Sequence, residues 1–156
     1  MQPLPLGKPV TLWFKSATEF QYHRDEEKTR EATSSDGSMT TVGDVGYVDA
    51  DGFLYLTDRK TFMIISGGVN IYPQEIENLL VTHDKVMDAA VIGAPCPDFG
   101  EKVVVVVQPM DMGEAGEGLE AELRDFLAPS LAKIKMPKLF DFRPDLPREA
   151  NGKLYK

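Results

Sequence analysis

Four short stretches hold the residue types that could do chemistry: Gly43-Asp44-Val45-Gly46-Tyr47, Thr57-Asp58-Arg59-Lys60, Ser66-Gly67-Gly68-Val69-Asn70-Ile71-Tyr72-Pro73 and Asn151-Gly152-Lys153. Lys153 follows an Asn-Gly pair, a strong tight-turn signal because both residues tolerate positive φ, so it stands on a projecting tip. Alone, that also describes a solvated basic terminus, with Arg148 and Lys156 as neighbouring cations. Asp44, between glycines, can be a ligand-binding carboxylate or an Asx-turn residue. Arg59 can be a surface ion-pair partner of little energetic weight. Gly67-Gly68 matches neither the dinucleotide fingerprint nor the Walker phosphate loop, and can be a strand-to-loop kink.

Other reactive groups fall away. Cys96 is the only cysteine. It lies between Pro95 and Pro97 with no basic neighbour, which describes a packed or idle thiol rather than a nucleophile. His23 and His83 are too isolated in sequence to have zinc-ligand spacing. Asp49-Ala50-Asp51-Gly52 resembles the start of a calcium loop. The remaining EF-hand positions fall on Phe53, Leu54 and Lys60, which excludes that reading, and no metal site is expected.

These residues belong to a chain of 156 with 25 acidic and 17 basic side chains, a formal net charge of −8. Such a balance argues against a general nucleic-acid or anionic-membrane binder. A hydrophobic content of 42% with 27% charged residues is that of a globular protein with a real core. One cysteine allows no intrachain disulfide and fits a reducing compartment, so the expected location is cytoplasmic. No apolar run approaches the roughly 20 residues of a membrane span. The segment Met1 to Pro5 lacks the charged start and apolar core of a signal peptide.

The elements that must position the four stretches follow from periodicity and turn chemistry. Val10 to Phe14 reads as a strand, Tyr22 to Ala32 as a short exposed helix or surface excursion, and Thr33 to Gly37 as a loop. Gly46-Tyr47-Val48 and Phe53 to Leu56 flank an Asp-Gly connection and predict a β-hairpin. Met63 to Ile65 is a short strand broken by Ser66 to Asn70. Pro73 opens a helix whose Ile76, Leu79 and Leu80 share one face, with Glu75 and Glu77 as helix-start carboxylates. Val86 to Ile92 and Val103 to Gln108 are strands joined by a loop over Gly93 to Gly100. Met112 to Gly118 is a polar connector. Leu119, Leu123, Phe126, Leu127 and Leu131 form a second helical stripe, interrupted at Pro129, and Lys138 to Phe142 is a last strand. The expected class is α+β: a three-stranded sheet with helices packed on it over residues 61–156, preceded by a β-hairpin-rich segment over 1–60.

Taken together and in order, GDVGYVDADGFLYLTDRK, IISGGVNIYPQEIE, VIGAPCPDFGEKVVVVVQP and PREANGKLYK resemble the C-terminal third of an adenylate-forming enzyme, specifically an acyl-CoA synthetase (fatty-acid or aryl-acid CoA ligase). The resemblance covers essentially the whole chain and is sharpest from Gly43 onward. It implies a two-step reaction: ATP and a carboxylic acid give an acyl-adenylate and pyrophosphate, then the CoA thiol displaces AMP. It maps the adenylation lysine onto Lys153, whose charge would be offered to the α-phosphate. It maps a ribose-binding carboxylate onto Asp44 and a nucleotide-contacting arginine onto Arg59. The family hinge falls on Lys60-Thr61; Thr61 stands where many members carry Lys or Asp. A mobile lid (residues 61–156) would rotate there, presenting Lys153 in one orientation and the Ser66-Gly67-Gly68 face in the other. There, glycine would allow close passage of the CoA arm.

The family's Ser/Thr/Gly-rich phosphate loop and its Tyr-Gly-x-Thr-Glu stretch do not occur in this sequence. Residues 1–60 would be the end of a large domain that carries them and the acid pocket. The chain is therefore expected to be a fragment, inactive alone, of a ligase using ATP, Mg2+ and CoA. Two alternatives stay open: an adenylation domain loading a carrier protein, and a stand-alone lid-like binding module without catalysis.

Overall fold

The structure is a computed structural model and describes residues 6–15, 20–154 and 156. Met1 to Pro5 thus lie outside the described residues. The chain divides into two compact units, residues 1–61 and 62–156.

In the first unit β1 (Val10–Thr11), β2 (Asp44–Val48) and β3 (Leu54–Arg59) form an antiparallel sheet in the order β1-β2-β3. The β2–β3 hairpin closes where the Asp-Gly signal put it. Asp49 Oδ1 accepts hydrogen bonds from the amides of Asp51 (3.0 Å) and Phe53 (2.9 Å), and Gly52 takes φ +88°. Donation led by the Phe53 amide holds the Asp49 carboxyl below its ordinary range. This carboxylate is spent on its own turn. Tyr47 and Tyr55 stack across the strands, ring centroids 5.1 Å apart. The charged stretch forms α1 (Glu26–Glu31), which buries no residue and is capped by Asp25, whose Oδ1 accepts from the Lys28 amide at 3.0 Å.

The register shifts between Val45 and Gly46, and a Cβ on Gly46 would lie 2.5 Å from the Tyr55 carbonyl oxygen. Only a glycine lets the two backbones approach this closely. Gly46→Ala is expected to destabilise the chain by about 1–3 kcal/mol, the usual cost of overpacking, measured by chemical denaturation.

The second unit runs β4 (Ile64–Ser66), β5 (Val69–Ile71), α2 (Pro73–Leu80), β6 (Val86–Cys96), β7 (Gly100–Pro109), α3 (Glu117–Leu127) and β8 (Leu139–Phe142). Its sheet has the order β5-β4-β7-β6. The parallel strand β8 pairs Val104–Val107 of β7 on the edge that β6 leaves free. The α+β class and the packed helices stand, but the sheet has five strands rather than three. One added strand is β5, which returns after only two residues and reads as a broken loop in isolation. The stretch expected as a loop over Gly93 to Gly100 is also mostly sheet: β6 and β7 stay paired out to Cys96↔Gly100. Gly93 and Pro95 are local breaking signals. However, among the described residues β6 pairs with a strand on one side only, and an edge strand accommodates proline.

Four residues of the valine run, Val103, Val104, Val105 and Val107, are buried, so both faces of β7 are largely covered. Val103, Val105 and Val107 join Ala89 and Val91 of β6, Ile64 and Ile71, and Phe140 in one buried cluster. Ile76 and Leu80 of α2 and Leu119, Leu123 and Leu127 of α3 close over it. Phe126, expected in the same stripe, lies outside the buried cluster, partly exposed, and packs edge-on against His83, with centroids 4.9 Å apart.

Candidate functional site

Asp44 opens β2 and Arg59 closes β3, and the antiparallel register makes them cross-strand partners. Arg59 Nε lies 3.4 Å from Asp44 Oδ1, with the guanidinium half-exposed. A half-exposed pair of this kind is weak and readily exchanged for other partners. Two residues fifteen positions apart in sequence thus form one polar spot at the end of the sheet. Its base is tightened by the Lys60 amide, which donates to the Gly43 carbonyl at 2.7 Å. Lys60 and Thr61 themselves lie in a single 3-10 turn, Lys60–Phe62, within which the division between the two units falls.

Ser66, Gly67 and Gly68 sit at the β4–β5 hairpin. Ile64↔Ile71 and Ser66↔Val69 are paired, so Gly67 and Gly68 are the two central residues, at φ +55° and +77°. Two consecutive positive φ values are the geometry of a type I′ turn, which by itself accounts for both glycines. The Gly67 amide donates to the Phe99 carbonyl at 2.9 Å, while a Cβ on Gly68 would meet nothing within 4 Å. Ser66 is buried and borders a small, largely apolar cavity shared with Cys96, Phe99, Lys102, Ile134 and Lys138. Gly68→Ala is expected to cost about 1–2 kcal/mol through the left-handed backbone alone, read by thermal or urea unfolding.

The C-terminal stretch is an ordered loop. Arg148 and Leu154 form an antiparallel bridge, and Asn151-Gly152 lies at the tip with Gly152 at φ +83°. The Gly152 amide donates to the Glu149 carbonyl (2.8 Å), the Glu149 amide to the Lys153 carbonyl (2.9 Å) and the Lys153 amide to Asn151 Oδ1 (2.8 Å). Three basic residues share this loop, and two are committed. Arg148 grips Asp88 with both arms of its guanidinium, Nε to Oδ2 at 2.6 Å and Nη2 to Oδ1 at 2.7 Å, and donates Nη1 to the Gly152 carbonyl at 2.7 Å. The Asp88 carboxylate raises its proton affinity further. Lys156 Nζ lies 2.6 Å from Glu77 Oε1 and 5.1 Å from the Phe62 ring centroid. The exposed Lys153 ammonium has neither ion pair nor hydrogen bond among the described residues.

Sequence reasoning treated Glu75 and Glu77 alike, as helix-start carboxylates. Glu75 fits that place and pairs with Lys135 at 2.7 Å. Glu77 does not: it is buried, and its Oε1 also accepts from the Val91 amide at 2.7 Å. Pro73, Glu77 and Leu80 are spaced i, i+4, i+7, so helical periodicity already placed Glu77 on the buried face.

Residues 75–153, half of the chain, match the AMP-binding enzyme C-terminal domain family, to which the chain belongs. Over 86% of its length it is 44% identical to 2-succinylbenzoate–CoA ligase of Bacillus cytotoxicus and 41% identical to sulfoacetate–CoA ligase of Cupriavidus necator. It spans only about a quarter of the length of these relatives, 27% and 26%. Among solved structures it is similar to o-succinylbenzoate CoA synthetase from Bacillus subtilis in complex with its acyl-adenylate intermediate. That match has a TM-score of 0.81 at 32% identity, over 97% of this chain and 30% of that one. ATP-bound MatB from Rhodopseudomonas palustris gives 0.83 at 37% identity, over 97% and 29%. These two ligases are named for 2-succinylbenzoate and sulfoacetate, so the fatty-acid half of the expected family pair is not the one that they represent.

Proposed function

We propose that this chain is the C-terminal part of an ATP-dependent acid–CoA ligase, and that Lys153 is the cation it contributes to acyl-adenylate formation. The observation that supports this is the contrast within one loop. Arg148 and Lys156 are bound to carboxylates, while Lys153 projects from an ordered tip with its charge unpaired among the described residues. Attack of a carboxylate on the α-phosphate of ATP brings two anions together and builds further charge on the phosphate oxygens. A positioned ammonium lowers that barrier without any change in its own protonation. In this reading the proton inventory of the first step is simple: carboxylate and ATP form the mixed anhydride, and pyrophosphate leaves.

Asp44 and Arg59 are proposed to hold the nucleotide. A carboxylate can accept hydrogen bonds from both hydroxyls of a ribose, and a permanent cation beside it suits ribose and phosphate oxygens. Their mutual contact at 3.4 Å is loose enough to open for a ligand. Mg2+ would enter with the phosphates of ATP. Lys60-Thr61, within the turn Lys60–Phe62, is the proposed hinge, and the Ser66-Gly67-Gly68 turn the proposed lining of the CoA path. The curated relatives are named as CoA ligases, which favours CoA over a carrier protein as acceptor. The acid itself is left as a carboxylic acid of unspecified chain. Asp44→Asn in the ligase is expected to raise the KM for ATP roughly ten- to a hundredfold, the scale of losing hydrogen bonds to a charged acceptor. Pyrophosphate release at varied ATP tests it, and an unchanged KM would remove Asp44 from the nucleotide site.

A further inference from the structure

Among the described residues the second unit holds one deeply buried ion pair, Lys156 with Glu77. Their side chains are 9% and 8% exposed. Neither a helix start nor a solvated tail explains it. Taking two charges out of water costs several kcal/mol per ion, and such a pair persists only where geometry and further hydrogen bonds compensate. Here they do: Glu77 Oε1 also accepts from the Val91 amide, and the Lys156 ammonium lies over the Phe62 ring.

The placement of these contacts gives them a common purpose. Val91 belongs to β6, whose outer edge carries no strand among the described residues, and its outward amide is satisfied by Glu77 of α2. Asp88, which Arg148 grips, belongs to the same strand. The loop bearing Lys153 is therefore held at both ends against β6. One arm is fixed directly through Arg148–Asp88, the other through Lys156–Glu77–Val91. Between the clamps, the Arg148–Leu154 bridge and the Asn151-Gly152 turn set the tip.

We propose that Glu77 and Lys156 are positioning residues for Lys153: their buried ion pair anchors the outgoing arm of its loop to α2 and β6, so the lysine tip is held in one geometry as part of the lid. This rests on the adenylation role proposed for Lys153. Neither residue needs to touch substrate. A flexible tail would have to be ordered anew in every adenylation step, whereas an anchored one enters the reaction with that entropy already lost. Phe62, the first residue of the second unit, lies beneath Lys156, so the anchor also ties the loop to the chain as it leaves the hinge turn.

The test uses Lys156→Met, which keeps the aliphatic stem over Phe62 but removes the charge. It is paired with Glu77→Gln, which keeps an acceptor for the Val91 amide, and with Lys156→Arg. In the 156-residue chain, amide exchange at Glu149, Gly152 and Lys153 should quicken at least about tenfold in Lys156→Met, with Val105 and Val107 unchanged. In the ligase, the same variant should lower kcat for adenylation about tenfold with the KM for ATP within about twofold. Thioester formation from preformed acyl-adenylate should persist, and Lys156→Arg should restore adenylation. Unchanged exchange in the loop overturns the anchor. So does equal loss of both half-reactions, or loss of protection at Val105 and Val107 in Lys156→Met, either of which makes the pair general fold support. If Lys153→Ala leaves adenylation intact, the reading of Lys153 fails, while the exchange measurement still decides whether the anchor exists.

Discussion

Replacing Lys153 with alanine in the ligase is expected to slow acyl-adenylate formation by about 10²–10³-fold, the scale of losing one preorganised electrostatic contact to a developing oxyanion. The size follows from the loop. A lysine that already paired with a carboxylate would have to break that contact before serving ATP, and its loss would be partly recovered. Lys153 has no such partner among the described residues, while Arg148 and Lys156 do. Neither neighbour can substitute without abandoning Asp88 or Glu77. Lys153→Arg should therefore retain more activity than the alanine variant, but less than the wild type, because a planar guanidinium offers its charge differently from a compact ammonium. ATP–pyrophosphate exchange measures both.

Leu123→Ala is expected to have an effect of similar size by another route. Leu123 is fully buried in α3, within the cluster formed by Ile76, Leu80 and the alternating valines of β7. Removing its side chain should destabilise the chain by about 2–5 kcal/mol, the transfer term plus the cavity left behind. That is a large part of the stability of a domain this size. The transition should move to lower denaturant, followed by circular dichroism, and in the ligase both half-reactions should decline together as the lid unfolds. The contrast is informative: a core substitution is expected to remove everything that the second unit contributes, whereas the Lys153 substitution is expected to remove one contribution.

Local signals located the elements that are local. The hairpin at Asp49 to Gly52 was legible because turn chemistry and flanking alternation sit within a dozen residues, and Asp49 binds its own backbone. The strand over Val103 to Gln108 was legible in the valine run itself, and it lies within β7. What was missed depends on distant partners. Gly93 and Pro95 signal a loop until β7 pairs alongside them, and β5 is too short to read as a strand before β4 lies next to it. The pairing of Asp44 with Arg59 follows from register across the hairpin, not from either motif alone. Glu77 is the clearest case. A glutamate in a helix's first turns invites a dipole argument, and only the i+4 spacing from Pro73 shows that it faces inward. Its two partners, Val91 and Lys156, lie fourteen and seventy-nine positions away, beyond any local pattern.

Lys153 is proposed to serve adenylation and not thioester formation. The most direct measurement is the ratio of the two half-reactions in Lys153→Ala, with pyrophosphate release from acid and ATP set against CoA thioester formed from supplied acyl-adenylate. The first should fall by about 10²–10³-fold while the second stays within a few-fold of wild type. An equal loss in both, or no loss in the first, would contradict it.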